Sequence, residues 1–332
     1  MRSPLKRCAP MKNLLMALAS LALLSGVAGA QEYPRRPVEL MVAYPAGGST
    51  DIGARMVAAI AEKLLGQPVV VVNRGGAGGQ VGWTELSRRK PDGYFIGFIN
   101  LPATNTVILD PERKAIFDAD AFVPIINQVL DPGVIWVRAD SRYKSLKDLI
   151  EAARKAPNTI RAADTGILSD DHLAILMMEE AAPGAIFRIV HLAGGVAQLQ
   201  EIIAGNVDVA FDNVGSIVPR VRSGEIRALA VMDTQRSKFL PEVPTAAELG
   251  YPSVISRSAR GIAGPKGLPA PVVKKLVEVF RKAMEDPEHV SRMESTGLAL
   301  KIMVGAEYER YYKEAHEQAK KYVEWARNRP RK

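Results

Sequence analysis

Gly47, Gly48, Ser49, Thr50 and Asp51 stand together in "AYPAGGSTDIGARM", between an apolar run, "VELMVAY", and a helical pattern. Glycines followed by hydroxyl and carboxylate side chains at a strand-to-helix turn suit anion binding. Successive backbone N–H groups at a helix start carry partial positive charge. The Ser49 and Thr50 hydroxyls add donors, and Asp51 suits an N-cap. No lysine lies in the stretch, and the phosphate-loop pattern G-x-x-x-x-G-K-[ST] is absent. A carboxylate is therefore a better match than a polyphosphate. The plainer alternative is that the glycines only permit a tight turn.

Three further stretches carry polar residues at strand-to-helix turns. "AADTGILSDDHLA" (162–174) repeats the donor-rich pattern with Thr165, Gly166 and Ser169. His172 invites a metal or catalytic role there. With four histidines in the chain, no H-x-x-x-H and no nearby cysteine, it reads instead as a hydrogen-bonding residue on a helix surface or hinge. Ser169 lies in no G-x-S-x-G elbow. "HLAGGVAQLQEIIAGNVDVAFDNVGSIVP" (191–219) holds two more such turns, at Gly194-Gly195 and at Asp212-Asn213. Either could face a ligand or only pack and cap. "VVVVNRGGAGGQVGW" (69–83) gives G-x-G-x-x-x-G with no acid ending the next strand, "FIN". It therefore fails the dinucleotide fingerprint and reads as a glycine turn beside the first loop, with Arg74 paired or in solvent.

The elements that must position these residues follow from periodicity. Short apolar runs at 38–44, 68–73 and 94–100 alternate with helical patterns at 51–65 and 81–90. A second set begins with "GVIWVRA" (133–139), "SLKDLIEAARKA" (145–156) and "TIRAA" (159–163). Alternation of this kind predicts α/β architecture with parallel sheets covered on both faces. Residues 124–138 read as one strand leaving the first sheet and, past Asp131-Pro132-Gly133, another entering the second. The end of the chain reads as amphipathic helix. Ligands of open parallel sheets sit beyond the carboxyl ends of strands, so two such sheets predict a cleft between them.

The N-terminus bears on compartment. "MRSPLKRCAPMKN" is basic, "LLMALASLALLSGVAG" is apolar, and "AGA" ends at Ala30. This predicts a cleaved export signal over 1–30, with the start at Met1 or Met11. The apolar run is too short to span a membrane. Removing it lowers the formal charge from +8 to +4 and removes Cys8, the one cysteine. Disulfides and thiolate chemistry are then excluded. No basic block or basic-aromatic interleaving remains for nucleic acid. The rest, about 300 residues, suggests two domains.

"YPAGGSTDIGARM", "LGQPVVVVNRGGAGGQVG" and "PDGY" resemble the Bug-type extracytoplasmic solute receptors, the binding components of tripartite tricarboxylate transporters. The likeness continues through "TGILSDDHL", "GGVAQLQEIIAGNVDVAFDN", "IRALAVM", "LPEVPTAAELGYP" and "GPKGLPAPVVKKL". It implies a type II periplasmic binding protein fold, two α/β lobes with parallel-type sheets joined by a two-segment hinge. Lobe 1 would comprise 31–131 and 253–332, and lobe 2 would comprise 132–252. It implies a monomeric periplasmic receptor that binds a small carboxylate without chemistry, cofactor or metal, and passes it to membrane subunits. Carried over residue by residue, the first-lobe site is Ala46, Gly47, Gly48, Ser49, Thr50 and Asp51. The second-lobe site is Thr165, Gly166, Ser169, His172, Gly194, Gly195 and Asp212.

The sequence departs from the family pattern at Ile167-Leu168 with Asp170-Asp171 nearby, at Leu192-Ala193, and at Ala259-Arg260. Arg260 is expected to face the cleft and pair with a second acidic group of the ligand, since a guanidinium fork suits a carboxylate. Two other functions stay open at this point: a ligand sensor feeding a signalling kinase, and a secreted hydrolase, which would need a nucleophile with a base.

Overall fold

The structure is a computed structural model that describes residues 33–329. The expected export signal over 1–30 lies outside those residues. The first elements are β1 (Val38–Val42), α1 (Ser49–Leu65), β2 (Val69–Asn73), α2 (Gln80–Arg88), β3 (Phe95–Leu101) and α3 (Ala103–Leu109). A 17-residue strand, β4 (Phe122–Arg138), comes next. Then follow α4 (Leu146–Lys155), β5 (Arg161–Asp164), α5 (Asp170–Ala181), β6 (Arg188–His191) and α6 (Gly195–Ile203). β7 (Val209–Asn213), α7 (Val214–Arg222) and β8 (Ile226–Met232) complete that set. The chain closes with β9 (Arg257–Pro265), α8 (Ala270–Glu285), α9 (Pro287–Thr296), β10 (Leu300–Val304) and α10 (Gly305–Asn328).

The strands run in the order β2-β1-β3-β9-β4-β7-β5-β6, with β8 and β10 also paired to β4. The expected parallel pairing holds for β1 with β2 and β3, and for β5 with β6 and β7. It fails in the middle, where β9 runs antiparallel to β3 and β4, and β7, β8 and β10 run antiparallel to β4. The cause is the path of the chain. β9 follows β8 through residues 233–256 without a helix, and β4 passes from the first set of strands to the second, and both run against their neighbours.

β4 is one continuous strand where two were expected. Its residues 122–132 pair with β9, and 133–138 pair with β7 and β8. Pro132 and Gly133 mark the change of partners. A Cβ on Gly133 would sit 2.7 Å from Met232 Cε and 3.0 Å from Ser256 Cβ, so a side chain here would crowd both segments.

Each half carries its own core. Met41, Trp83, Leu86, Phe95, Ile99 and Phe122 pack in the first. The second is covered on both faces, by Leu149, Ile150, Ile175 and Met178 on one side and by Ile202, Ile217 and Val218 on the other. Apolar runs such as "VAFDN" in β7 are buried throughout for that reason. α10 buries Tyr308, Tyr312, Ala319 and Val323, the stripe of an amphipathic helix. Its last turns pack Val323, Tyr322 and Trp325 against Leu168 and Leu173 of the second half. Among the described residues no helix is long and apolar enough to cross a membrane.

Candidate ligand-binding cleft

β1 delivers the chain into the loop that starts α1. The N-cap of α1 is Gly48, and no side chain caps it. The first intrahelical bond is Ile52 N–H to Gly48 C=O at 2.9 Å, which leaves the preceding N–H groups of the first turn to other partners. Asp51 was expected at the N-cap but stands inside the first turn and folds back. Its Oδ2 accepts from Gly47 N–H and from Arg55 Nε, both at 2.9 Å, and its Oδ1 accepts from Asn73 Nδ2 at 2.9 Å. Burial pushes this carboxyl up, but the bonds from Arg55, Gly47 and Asn73 outweigh it and hold it below its ordinary value. Gly47 turns with φ +85°, a conformation that favours glycine. Thr50 Oγ1 accepts from Asn100 Nδ2 at 3.0 Å, which ties the helix start to the end of β3.

Across the cleft, α6 begins at Gly195 with Gly194 as its N-cap, again without a side-chain cap. Gly194 has φ +99°, and a Cβ on Gly195 would meet Asp212 Oδ2 at 2.9 Å. Two glycines are thus needed to bring this helix start close to the end of β7. Gly48, Ser49, Thr50 and Asp51 line one cavity with Thr165, Gly194, Gly195, Asp212 and Arg260. The walls leave about 50 Å³; on this measure one water needs about 10–15 Å³. The two halves also touch: Ser216 Oγ lies 3.2 Å from Ser49 Oγ, and Thr106 Oγ1 donates to Leu168 C=O at 2.8 Å.

Other expected residues lie off this cavity. Ala46 and Gly47 are behind its rim, Gly47 being held by Asp51. Gly166 packs at the junction of the halves, its Cβ position 3.5 Å from Gly78 Cα. Ser169 is the N-cap of α5 and accepts from His172 N–H at 3.1 Å. His172 accepts the Leu168 N–H on Nδ1 at 2.9 Å and lines a separate cavity with His191. Its ring meets His191 edge-on at 4.8 Å, and burial pushes it down to about 3. Among the described residues, Asp164, His172 and His191 bring ligand-type atoms within 4.8 Å of one another. These groups also bond to one another and to the main chain: His191 Nδ1 lies 2.8 Å from Asp164 Oδ2, and His172 Nδ1 accepts the Leu168 N–H. The cluster reads as structural. Arg74, left open above, pairs with Glu85 at 3.0 Å.

The sequence reading did not assign Tyr44, Pro45, Asn100, Asp170, Asn213, Ser216 or Ser258 to the cavity, which they also line. Ser258 had a findable signal, since it shares a strand face with Arg260 two residues on. Asn213 was marked only as part of the Asp212-Asn213 turn, and Asp170 only as an acid near Thr165-Gly166.

The second wall is acidic. Asp131, Asp170, Asp171 and Asp212 are all buried near Arg260, itself 3% exposed. Burial pushes Asp212 up to about 7 and Asp131 up to about 6, against the pull of Arg260 in each case. Burial raises Asp170 and Asp171 as well, and for Asp171 the Asp170 and Asp212 charges add to it. The elements of this cleft are two helix starts, hydroxyls, carboxyls and one guanidinium, a set that binds polar groups.

A family profile described as "Tripartite tricarboxylate transporter family receptor" matches residues 53–327. Protein BugT of Bordetella pertussis is 30% identical over 291 residues, covering 86% of this chain and 89% of its own. MatC from Rhodopseudomonas palustris, solved with bound malate, superposes with a TM-score of 0.79 at 25% identity, over 88% of this chain and 100% of its own. A second R. palustris protein, solved with adipate, gives 0.82 at 26% identity, over 88% and 99%.

Proposed function

This chain belongs to the tripartite tricarboxylate transporter receptor family, and from that premise we propose that it captures a small carboxylate between its two halves and presents it to membrane subunits. The observation that carries the reading is the meeting of two uncapped helix starts, α1 and α6, on one cavity. Unpaired N–H groups at a helix start favour an anion without any side-chain cation. A carboxylate has two oxygens, enough to meet both starts at once. Ser49, Thr50 and Thr165 supply further donors around it. Solved relatives of this fold with malate and adipate support the same ligand class.

The halves would act as lobes that open about the paired segments near Pro132 and Ser256. The cavity is narrow in this form, and capture would proceed by opening and then reclosure. Ser49–Ser216 and Thr106–Leu168 contacts would re-form on closing. Ligand contacts from both halves give the closed state its extra affinity, which is what shifts the equilibrium. Export through a cleaved segment over 1–30 and action as a monomer complete the reading.

A thermal-shift screen of mono-, di- and tricarboxylates, amino acids and aromatic acids tests it. A ligand that binds only the folded form at 100-fold over Kd stabilises by about 2.7 kcal/mol. At least one acid is expected to raise Tm by several degrees. A screen in which no acid moves Tm would overturn the reading.

A further inference from the structure

The far wall of the cleft narrows the ligand further, on the footing that a carboxylate occupies the two helix starts. Arg260 was expected to await a second acidic group, but its charge is already met. Nη1 lies 3.1 Å from Asp131 Oδ2, and Nη2 donates to Asn213 Oδ1 at 2.7 Å. Asp131 is itself fixed by Gly215 N–H, at 3.0 and 3.2 Å to its two oxygens. Asn213 passes its own Nδ2 to Asp170 Oδ2 at 2.9 Å. Asp212 faces the same cavity, and Asp171 lies behind Asp170. One buried guanidinium therefore stands among several buried carboxyls.

One donor in this wall remains unused. Arg260 Nε is buried with no hydrogen-bond partner among the described residues, and Nη1 lacks hydrogen-bond geometry despite its ion pair. A buried unpaired donor is costly, so the site calls for an acceptor there. A second carboxylate would accept, but it would add a negative charge where no cation is spare. An uncharged acceptor satisfies Arg260 without that penalty. If it also carries a donor, it can bond to the Asp212 or Asp170 carboxyl.

We propose that this receptor selects a carboxylate whose far end is a neutral group that both accepts and donates, an amide or a hydroxyl, and that it discriminates against a dicarboxylate of the same length. Arg260 is the residue that reads this end, and Asp170 and Asp212 exclude the second charge. The preference is a difference of affinities set by a repulsive element as much as by an attractive one.

Calorimetric titration of the full mature chain at pH 8 with matched pairs tests the inference: succinate and succinamate, glutarate and glutaramate, adipate and adipamate. In the pair of preferred length, the monoamide is expected to bind at least tenfold tighter. In Asp170→Asn, which keeps an acceptor for Asn213 but loses a charge, the gap is expected to close several-fold. Asp212→Asn serves the same purpose should that variant not fold. A dicarboxylate that binds as tightly as its monoamide, or a gap unchanged in the folded variant, would overturn the inference while leaving carboxylate capture intact. Failure of both members of every pair to bind folded protein would overturn this inference, and capture is judged separately by the wider acid screen.

Discussion

Asp51 and Asp212 each lie beside a glycine-led helix start, yet the two walls hold them in opposite states. Asp51 has three donors within 2.9 Å and stays ionised below its ordinary range. Asp212 has the Asn213 N–H at 2.6 Å and a bond from Ser216, and burial among other acids drives it up to about 7. The first wall is thus complete before any ligand arrives: its carboxylate is spent on shaping the loop. The second wall carries buried charge that its own partners do not settle. On the proposed reading, a rigid wall would grip and an acidic wall would sort, a division of labour that one symmetric site could not provide.

The largest effect that would break this comparison comes from Arg260→Ala. Removing one partner of a buried ion pair costs about 3–5 kcal/mol, here because Asp131 and Asp170 lose their cation. Urea unfolding at pH 8 is expected to show that loss. At pH 5 it is expected to shrink, because Asp131, raised to about 6, and Asp212, raised to about 7, then take up protons. The sign follows from linkage. A carboxyl raised in the folded state holds more protons there than in the unfolded chain, so stability falls as pH rises between the ordinary value and the folded one. A loss equal at both pH values would mean that the acidic wall is not strained.

Asp51→Ala is expected to cost less, about 1.5–3 kcal/mol, the size of one hydrogen bond to a charged group, because the half-exposed Arg55 regains water in place of its bond. Its pH dependence is opposite. The Asp51 carboxyl is lowered by folding, so its contribution is present above the ordinary carboxylate value and is lost as pH falls through its folded value. The cost should therefore be the same at pH 8 and pH 5. Ser216→Ala sharpens the comparison at the small end. It removes the bond to Ser49 and the bond to Asp212. At about 0.5–1.5 kcal/mol per hydrogen bond, the titration of a bound acid should show affinity weakened between two- and roughly tenfold, with little change in unfolding.

Which wall was legible in the sequence follows from how each is assembled. The first is a contiguous run, and its glycines, hydroxyls and acid declare a strand-to-helix turn at once. The helix of Leu146–Lys155 and the strands at 38–42 and 69–73 were equally plain, because apolar spacing and turn residues are local signals. The second wall is built from Asp131 on β4, Asp170 on α5, Asp212 on β7 and Arg260 on β9. No local pattern joins residues that far apart. Asp131 looked like part of a turn because it precedes Pro-Gly, whereas it lies inside a continuous strand and accepts from Gly215 of α7. Arg260 stood out because Ala259-Arg260 departs from the family pattern before "GIAGP". Its counter-charges were not visible, which is why a second acidic group of the ligand seemed needed.

The central claim is that the helix starts of α1 and α6 hold a carboxylate by its charge. It is tested most directly by calorimetric titration with an acid that binds and with its primary amide and its methyl ester, both uncharged at that end and the amide close to the acid in size. The account predicts saturable heat for the acid and a loss of at least a hundredfold in affinity for the amide and the ester. An amide or ester that binds as tightly as the acid would contradict it.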